Sequence, residues 1–161
     1  MHIWKLEKWK KHYDLSNPRH RTGARLRFDK HVDPEVKRAC KEFLNWLRKQ
    51  YFFPIRVPIY VKASETLKAM DGDRVSATCF IPYDMLTEPY IRVAAGDYYA
   101  VRDRKGQDNA LAGILRSIAH ELTHYFQWVN DIELTDIGFE RQAVRYARQI
   151  LDEYAQTRDH P

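Results

Sequence analysis

Cysteine is scarce in this chain. Only two of the 161 residues are cysteines, Cys40 and Cys79, and they lie too far apart to form a CxxC or CxxxC pair. A disulfide framework and a cysteine-rich metal knuckle are therefore both excluded. We expect the two thiols to be reduced and buried.

Long apolar runs are also missing. No stretch of about 18 apolar residues, the length that suggests a membrane-spanning helix, occurs in the sequence. The start, MHIWKLEKWKKHYDL, alternates charged and aromatic residues where a signal peptide needs a continuous apolar segment. These absences predict a cytoplasmic protein with no membrane partner.

The composition is that of an ordinary globular domain, with 44% hydrophobic and 30% charged residues. The chain contains no internal repeat, low-complexity tract or Gly/Ser-rich linker, so we expect its segments to share one core. We assign this domain to residues 32–161.

Residues 1–31 form a basic, aromatic N-terminal extension that packs on the domain or leads into it. They hold nine Lys and Arg residues against three acidic ones, in a chain of net charge +5. One hypothesis is that this arm binds nucleic acid or an acidic partner. The other is that its aromatic residues pack on the domain. These residues are Trp4, Trp9, Tyr13 and Phe28.

Hydrophobic spacing predicts a helix over residues 33–51, because Asp33 can cap it, Pro34 suits its first turn and Pro54 stops it. The period then changes from helical spacing to alternation, which predicts three short strands. They lie near residues 55–61, 75–81 and 91–95.

Pro58 lies inside the first of these strands and cannot donate a ladder hydrogen bond. We therefore predict that this strand is at an edge of the sheet or is bulged. Two further helices are predicted near residues 110–129 and 138–156. The order of helix, small three- to four-stranded sheet, helix and helix predicts an α+β domain.

The segment SIAHELTHYF, residues 117–126, carries a histidine pair at helical spacing. His120 and His124 stack one turn apart on one face of the helix, so their ring nitrogens can reach one zinc ion. Glu121 projects beside the pair, where it can hold a metal-bound water. The opposite face is an apolar stripe made of Leu111, Ile114, Leu115, Ile118, Leu122, Tyr125, Phe126 and Val129.

A catalytic zinc usually has three protein ligands. The metzincin pattern is excluded because Gln127 and Asn130 stand where it requires glycine and histidine, and no methionine follows Met85. The only later histidine is His160, the third ligand that a SprT-type peptidase would need. It could instead reach the open zinc position and hold the enzyme latent.

Carboxylates supply the other candidates for the third ligand. Asp131, Glu133 and Asp136 lie in or near the loop after the histidines, whereas Glu140 lies on the next helix, near an apolar face. A buried carboxylate there would need a partner such as Zn²⁺ or an arginine. Alternatively, Glu140 only complements the dipole of its own helix.

The sequence HELTH, followed after a short loop by a helix that opens with ERQAVRYA, resembles the gluzincin group of zinc peptidases. It is most similar to the small, minigluzincin-like bacterial members, and more loosely to the phage-repressor-cleaving peptidases. The resemblance covers about residues 90–156 and implies a zincin-like domain. It implies His120, His124 and Glu140 as zinc ligands and Glu121 as general base or acid. Because the spacing to Glu140 is shorter than in thermolysin-like enzymes, Glu133 stays an open alternative.

This interpretation predicts a zinc-dependent hydrolase of peptide bonds, with a peptide or protein as substrate. The strand YIRVAAG is the first candidate for a rim that an extended peptide could pair with. Tyr98, Tyr99 and Tyr146 are candidates to stabilise the developing oxyanion. Asp131 or Asp136 could orient a ligand imidazole.

A second hypothesis concerns binding instead of catalysis. In it, the basic N-terminal arm engages nucleic acid or another protein, and the zinc site is structural or vestigial. A third hypothesis is a metal-free helical domain with surface histidines, in which the purified protein contains no zinc.

Overall fold

A computed structural model of the protein describes residues 2–84 and 87–161. It confirms the predicted α+β class, with four α-helices and a small mixed sheet in the described residues. None of the described helices is both long enough and apolar enough to cross a membrane. In chain order the elements are β1 (Ala24–Phe28), α1 (Pro34–Gln50), β2 (Val57–Lys62), β3 (Leu67–Lys68), β4 (Arg74–Val75), β5 (Ala77–Phe80), β6 (Tyr90–Ala94), α2 (Tyr98–Lys105), α3 (Gln107–Val129) and α4 (Asp136–Ala155).

The first helix forms where the sequence predicts it. The Asp33 carboxylate accepts a hydrogen bond from the Glu35 N–H at 2.8 Å, and Pro34 occupies the first turn, where its missing N–H costs nothing. The helix ends before Tyr51. Its apolar face is buried in the core and consists of Val36, Ala39, Cys40, Phe43, Leu44 and Leu47.

Four strands form the main sheet in the order β1-β2-β6-β5. The β1–β2 and β2–β6 pairs are parallel, whereas β5 runs antiparallel to β6. Strands β1 and β5 form the two edges of the sheet. Alternate side chains of the inner strands are buried against the helices, namely Val57, Ile59, Val61, Ile91 and Val93. Strands β3 and β4 make a separate small hairpin.

The structure corrects the position of the strand that contains Pro58. Strand β2 lies in the interior of the sheet, and its register with β1 runs through Pro58 without an extra residue, so the prediction of an edge or bulged strand is wrong. Pro58 lies opposite Arg25 of β1, and the pairing of β2 with β6 begins one residue later, at Ile59 and Ile91. Proline is tolerated because it precedes the first pair on the side of β6, where its missing N–H removes no ladder bond.

Strand β1 and helix α2 are among the elements that the sequence did not predict. Strand β1 carries two arginines, Arg25 and Arg27, which give the segment the composition of a charged arm. In helix α2 only Tyr98 of the eight residues is buried, so the helix has no apolar stripe. Gly106 separates α2 from α3 with a φ of +88°, a backbone conformation that favours glycine.

The N-terminal segment fastens α3 to α4. Trp4 is buried, stacks on Phe126 with ring centroids 4.9 Å apart, and donates its indole N–H to Thr123 Oγ1 at 3.1 Å. The Ile3 N–H donates to the Tyr146 hydroxyl on α4 at 3.4 Å. Residues 1–31 therefore supply β1 and several core side chains, including Trp9 and Tyr13.

The C-terminal tail binds far from the histidine pair. His160 Nδ1 lies 2.7 Å from Asp108 Oδ2, at the first turn of α3. Twelve residues of α3 separate Asp108 from His120, a rise of about 18 Å. The idea that His160 reaches the metal position is therefore wrong for this structure. The Pro161 carbonyl accepts a bond from Arg38 at 2.9 Å, which ties the tail to α1.

Replacement of Trp4 by alanine should lower the free energy of unfolding by roughly 3–5 kcal/mol, the cost of emptying a large buried aromatic site. Chemical denaturation would measure it. As a control, Thr123→Val keeps the size of the side chain and removes its hydroxyl, which accepts the indole bond and donates to the Ala119 carbonyl at 2.9 Å, with an expected cost of about 1–2 kcal/mol. A decrease below about 1 kcal/mol in Trp4→Ala would contradict the role of Trp4 in the core.

The hydrogen bond and charge of Asp108 raise the pKa of His160 above its ordinary value. Because the folded pKa is raised, this interaction contributes its full stabilisation below the unfolded pKa, and the stabilisation disappears as the pH rises through the folded pKa. An NMR titration of the His160 ring should give a raised pKa that returns towards the ordinary value in Asp108→Asn. An unchanged pKa in that variant would refute the pairing.

Candidate metal centre

Helix α3 holds the histidine pair because its two sides have different partners. All eight residues of the predicted apolar stripe are buried. His120 and His124 lie on the other side, where their side chains remain 23% and 14% exposed. Their ring centroids are 5.0 Å apart, as expected for residues one turn apart.

Helix α4 brings a carboxylate to the same place. Its first turn is capped by Thr135, whose hydroxyl accepts a bond from the Gly138 N–H at 3.1 Å. One turn further on, Glu140 directs one carboxylate oxygen to each histidine. Oε2 lies 3.1 Å from His120 Nε2, and Oε1 lies 3.0 Å from His124 Nε2.

The structure gives a different reason for choosing Glu140 as the third candidate ligand. We expected a carboxylate near an apolar face that would be costly to bury, but its side chain is 62% exposed. The apolar face of α4 instead passes through Ala143, Ala147 and Ile150, all buried. Glu140 lies beside that face, where it can reach the histidines without being enclosed.

A hydrogen-bond chain fixes how His124 presents its ring. Gln127 Nε2 donates to the Phe139 carbonyl at 3.0 Å and to Gln142 Oε1 at 2.9 Å. The amide oxygen of Gln127 therefore faces His124 Nδ1, at 2.8 Å, and accepts its proton. In a neutral imidazole this leaves a lone pair on Nε2, directed towards Glu140.

The donor set fits a metal ion. One ligand atom from each of His120, His124 and Glu140 lies within 4.8 Å of the others, so the three could hold one ion. A lone pair that faces a carboxylate at 3.0 Å is repulsive unless a proton or a cation lies between them. Two imidazole nitrogens and a carboxylate oxygen are the ligands that zinc prefers.

Glu121 is the buried acid of the site. Its side chain lines the same cavity as the histidine pair but is only 8% exposed. Burial, and then the charge of Glu140, raise its pKa to about 8. Burial and the charge of Glu121 also raise the pKa of the Cys79 thiol. Cys79 is half-buried in the cavity wall, so the expectation of two buried thiols holds only for Cys40.

The site opens into a groove of about 790 Å³. Helix α3 and the first turns of α4 form one side, with Trp128, Ile132 and Phe139 as apolar surfaces. The opposite rim is β5 and its flanking residues, not the predicted strand YIRVAAG. That segment contains β6, which pairs on both sides and has no free edge, whereas β5 is the last strand of the sheet in the described residues.

The three tyrosines are not brought to the groove. Tyr98 is buried at the start of α2, and the Tyr99 hydroxyl donates to Asp33 at 2.5 Å. The Tyr146 hydroxyl faces the N-terminal segment, where it accepts a bond from Ile3. None of them lines the cavity, so the structure offers no support for tyrosine as the oxyanion donor.

The carboxylates of the connecting loop occupy other positions. Glu133 is exposed and lies outside the cluster found among the described residues, which contains Glu140. Asp131 and Asp136 line the groove, but among the described residues neither bonds to a histidine ring. Gln127 takes the orienting role that we expected of them. The sequence could have indicated this role, because Gln127 lies three residues after His124 on the same face of the helix.

The chain matches no protein-family model, no curated protein and no solved structure. Its function is therefore inferred from the geometry of this site.

Replacement of Gln127 by alanine should weaken zinc binding about 10- to 100-fold, because the imidazole of His124 is then without the partner that fixes its tautomer. Competition with a chromophoric zinc chelator measures the affinity. Gln149→Ala, which removes an exposed amide further along α4, is the matched control and should bind zinc normally. Equal affinity in the two variants would show that Gln127 does not orient the ligand.

Proposed function

We propose that this protein is a zinc-dependent metallopeptidase. The observation that carries the proposal is one constellation: three metal-ligating side chains, a buried glutamate beside them, and an open groove with a free strand edge. His120, His124 and Glu140 would hold the zinc and leave a coordination position open to the groove.

When bound, zinc lowers the pKa of a coordinated water and polarises a substrate carbonyl. Glu121 supplies the base. Its carboxylate lines the groove beside His120 and His124, where it can take a proton from the attacking water and pass it to the leaving amine. A zinc ion beside Glu121 would favour the ionised form of its carboxylate, in which the side chain can accept a proton.

The groove suits an extended peptide. Strand β5 has one edge paired with β6 and leaves the other facing the groove, so its backbone can pair with a substrate main chain. Ala77 and Thr78 have small side chains, which allow a close approach. The apolar groove residues Ile132 and Phe139 favour an apolar substrate side chain on the opposite wall.

The hypothesis that the N-terminal arm binds nucleic acid through its aromatic residues loses support from their burial. Trp4, Trp9 and Tyr13 are buried in the core, so they cannot stack on bases. This agrees with the other hypothesis, in which the aromatic residues of the arm pack on the domain.

Metal analysis tests the site directly. Untagged wild-type protein should contain about one zinc per chain by inductively coupled plasma mass spectrometry. Glu140→Ala should lose most of it, because one of the three ligands is gone, whereas Glu133→Ala should keep it. Wild type without zinc after supplementation would overturn the proposal. Loss of zinc in Glu133→Ala alone would overturn the choice of Glu140 as ligand.

Peptide-library cleavage tests the chemistry. Glu121→Gln keeps the shape of the side chain but cannot accept a proton, so we expect normal zinc content and a kcat/KM at least about 100-fold lower. Undiminished cleavage by Glu121→Gln would reject its role as base. A wild type that binds zinc but cleaves no library peptide would reject peptidase activity and leave the metal site standing.

A further inference from the structure

The main sheet has a second face, opposite the one that packs on the helices. Its side chains alternate with the buried ones, so register identifies them: Arg27 lies opposite Tyr60, Tyr60 opposite Arg92, and Phe80 opposite Tyr90. We call this the outer face and define it by Arg25, Arg27, Tyr60, Phe80, Tyr90 and Arg92. These side chains are exposed or half-buried.

Three aromatic rings form a row across the outer face. Phe80 of β5 stacks on Tyr90 of β6 with ring centroids 4.9 Å apart and an interplanar angle of 21°. Tyr60 of β2 follows at 6.2 Å from Tyr90, edge to face. Tyr60 is 38% exposed and Tyr90 36% exposed, and large aromatic side chains held in solvent on neighbouring strands are a surface that a ligand can cover.

The charged side chains within these four strands are all basic. The four strands of the sheet contain no aspartate or glutamate. Arg25 and Arg27 have no ion-pair partner among the described residues, and the Arg27 guanidinium donates to the Leu26 carbonyl at 3.1 Å. Lys62 is paired with Asp29 at 3.1 Å and Arg92 donates to the Lys68 carbonyl at 3.1 Å, which leaves β1 as the most basic side.

Arg48 extends the basic side around the edge of the sheet. It donates to the Ala24 carbonyl at 2.6 Å, and burial, followed by the nearby charge of Arg25, lowers its pKa. The Arg48 guanidinium therefore lies beside β1 and adds a third cation to its basic side.

We propose that the outer face binds a single-stranded nucleic acid. The bases would stack on Tyr60, Tyr90 and Phe80, and the phosphates would lie towards Arg25 and Arg27. Sheets that present exposed aromatic rings with flanking cations bind single strands in this way, because every base offers a flat face and every linkage a negative charge. The inference does not depend on the metal site, which lies at the groove side of β5.

Neither a duplex nor an acidic protein segment fits these features as well. The bases of a duplex are paired and stacked on each other, so they cannot cover the aromatic row. An acidic segment would use Arg25 and Arg27 but would leave the three rings without a matching planar partner.

Fluorescence anisotropy with labelled 12-nucleotide oligo-dT and oligo-U at low salt tests the proposal on the full chain. We expect wild type to bind at least one of them. The double variant Tyr60→Leu/Tyr90→Leu keeps apolar bulk on the sheet but removes two rings, and it should bind about tenfold more weakly or worse. Tyr60→Phe keeps the ring and should bind within about twofold of wild type.

The role of the arginines is tested by measuring how the affinity for the oligonucleotide depends on salt concentration. For Arg27→Gln, the slope of log affinity against log salt should become shallower by about 0.7 for each phosphate that Arg27 neutralises in the wild type. Tyr99→Ala and Arg148→Gln remove an exposed ring on α2 and an exposed charge on α4, and should bind like wild type. Thermal melts check that each variant is folded.

Three results would overturn the proposal. They are no binding of either oligonucleotide by wild type, equal binding by folded Tyr60→Leu/Tyr90→Leu, and binding of a duplex or of poly-glutamate as tight as that of the single strand. Each of these leaves the peptidase proposal unaffected, since zinc content and peptide cleavage are measured separately.

Discussion

Helix α3 has to satisfy two opposite environments, and the arrangement of the molecule follows from that requirement. One side carries eight apolar residues that are fully or almost fully buried against the sheet, α1 and the N-terminal segment. The other side presents His120 and His124 to a groove. An imidazole pair buried on all sides would be costly, and one on a loosely held helix would not keep its geometry. Burial of the apolar side of α3 therefore holds the two histidines in a fixed position at the groove.

The position of Glu140, the third candidate ligand, depends on how α4 packs against α3. Gln127 does two things at once where the helices meet. Its amide nitrogen donates to the Phe139 carbonyl and to Gln142, both on α4, while its oxygen accepts from His124. The same side chain therefore joins the two helices and determines which nitrogen of His124 is free to bind. A shift of α4 that separated Glu140 from the histidines would also break the bonds from the Gln127 amide nitrogen to Phe139 and Gln142.

The sequence predicts most of this site because its signals are local. HELTH fixes the spacing of two donors on a helix, and the α3 stripe and the start of α1 follow from periodicity and capping. The groove rim and the positions of the tyrosines could not be predicted, because they depend on which strands pair and in what order. β5 and the YIRVAAG strand look equally suitable in sequence, and only the antiparallel pairing of β5 at the edge decides between them. Strand β1 was missed because its alternation consists of arginines, whose charge hid the pattern.

The bonds made by the first few residues have a consequence for biosynthesis. Trp4 bonds to a residue 119 positions away and Ile3 to one 143 positions away, so the two helices that carry the candidate ligands are fastened by a segment that is synthesised before either of them. Until α3 has been translated, Trp4 lacks Thr123 and Phe126, its hydrogen-bonding and stacking partners. The arrangement of His120, His124 and Glu140 then depends on contacts between residues that are very distant along the chain, which slows folding. A nascent chain that stalls before α3 would present Trp4 to chaperones.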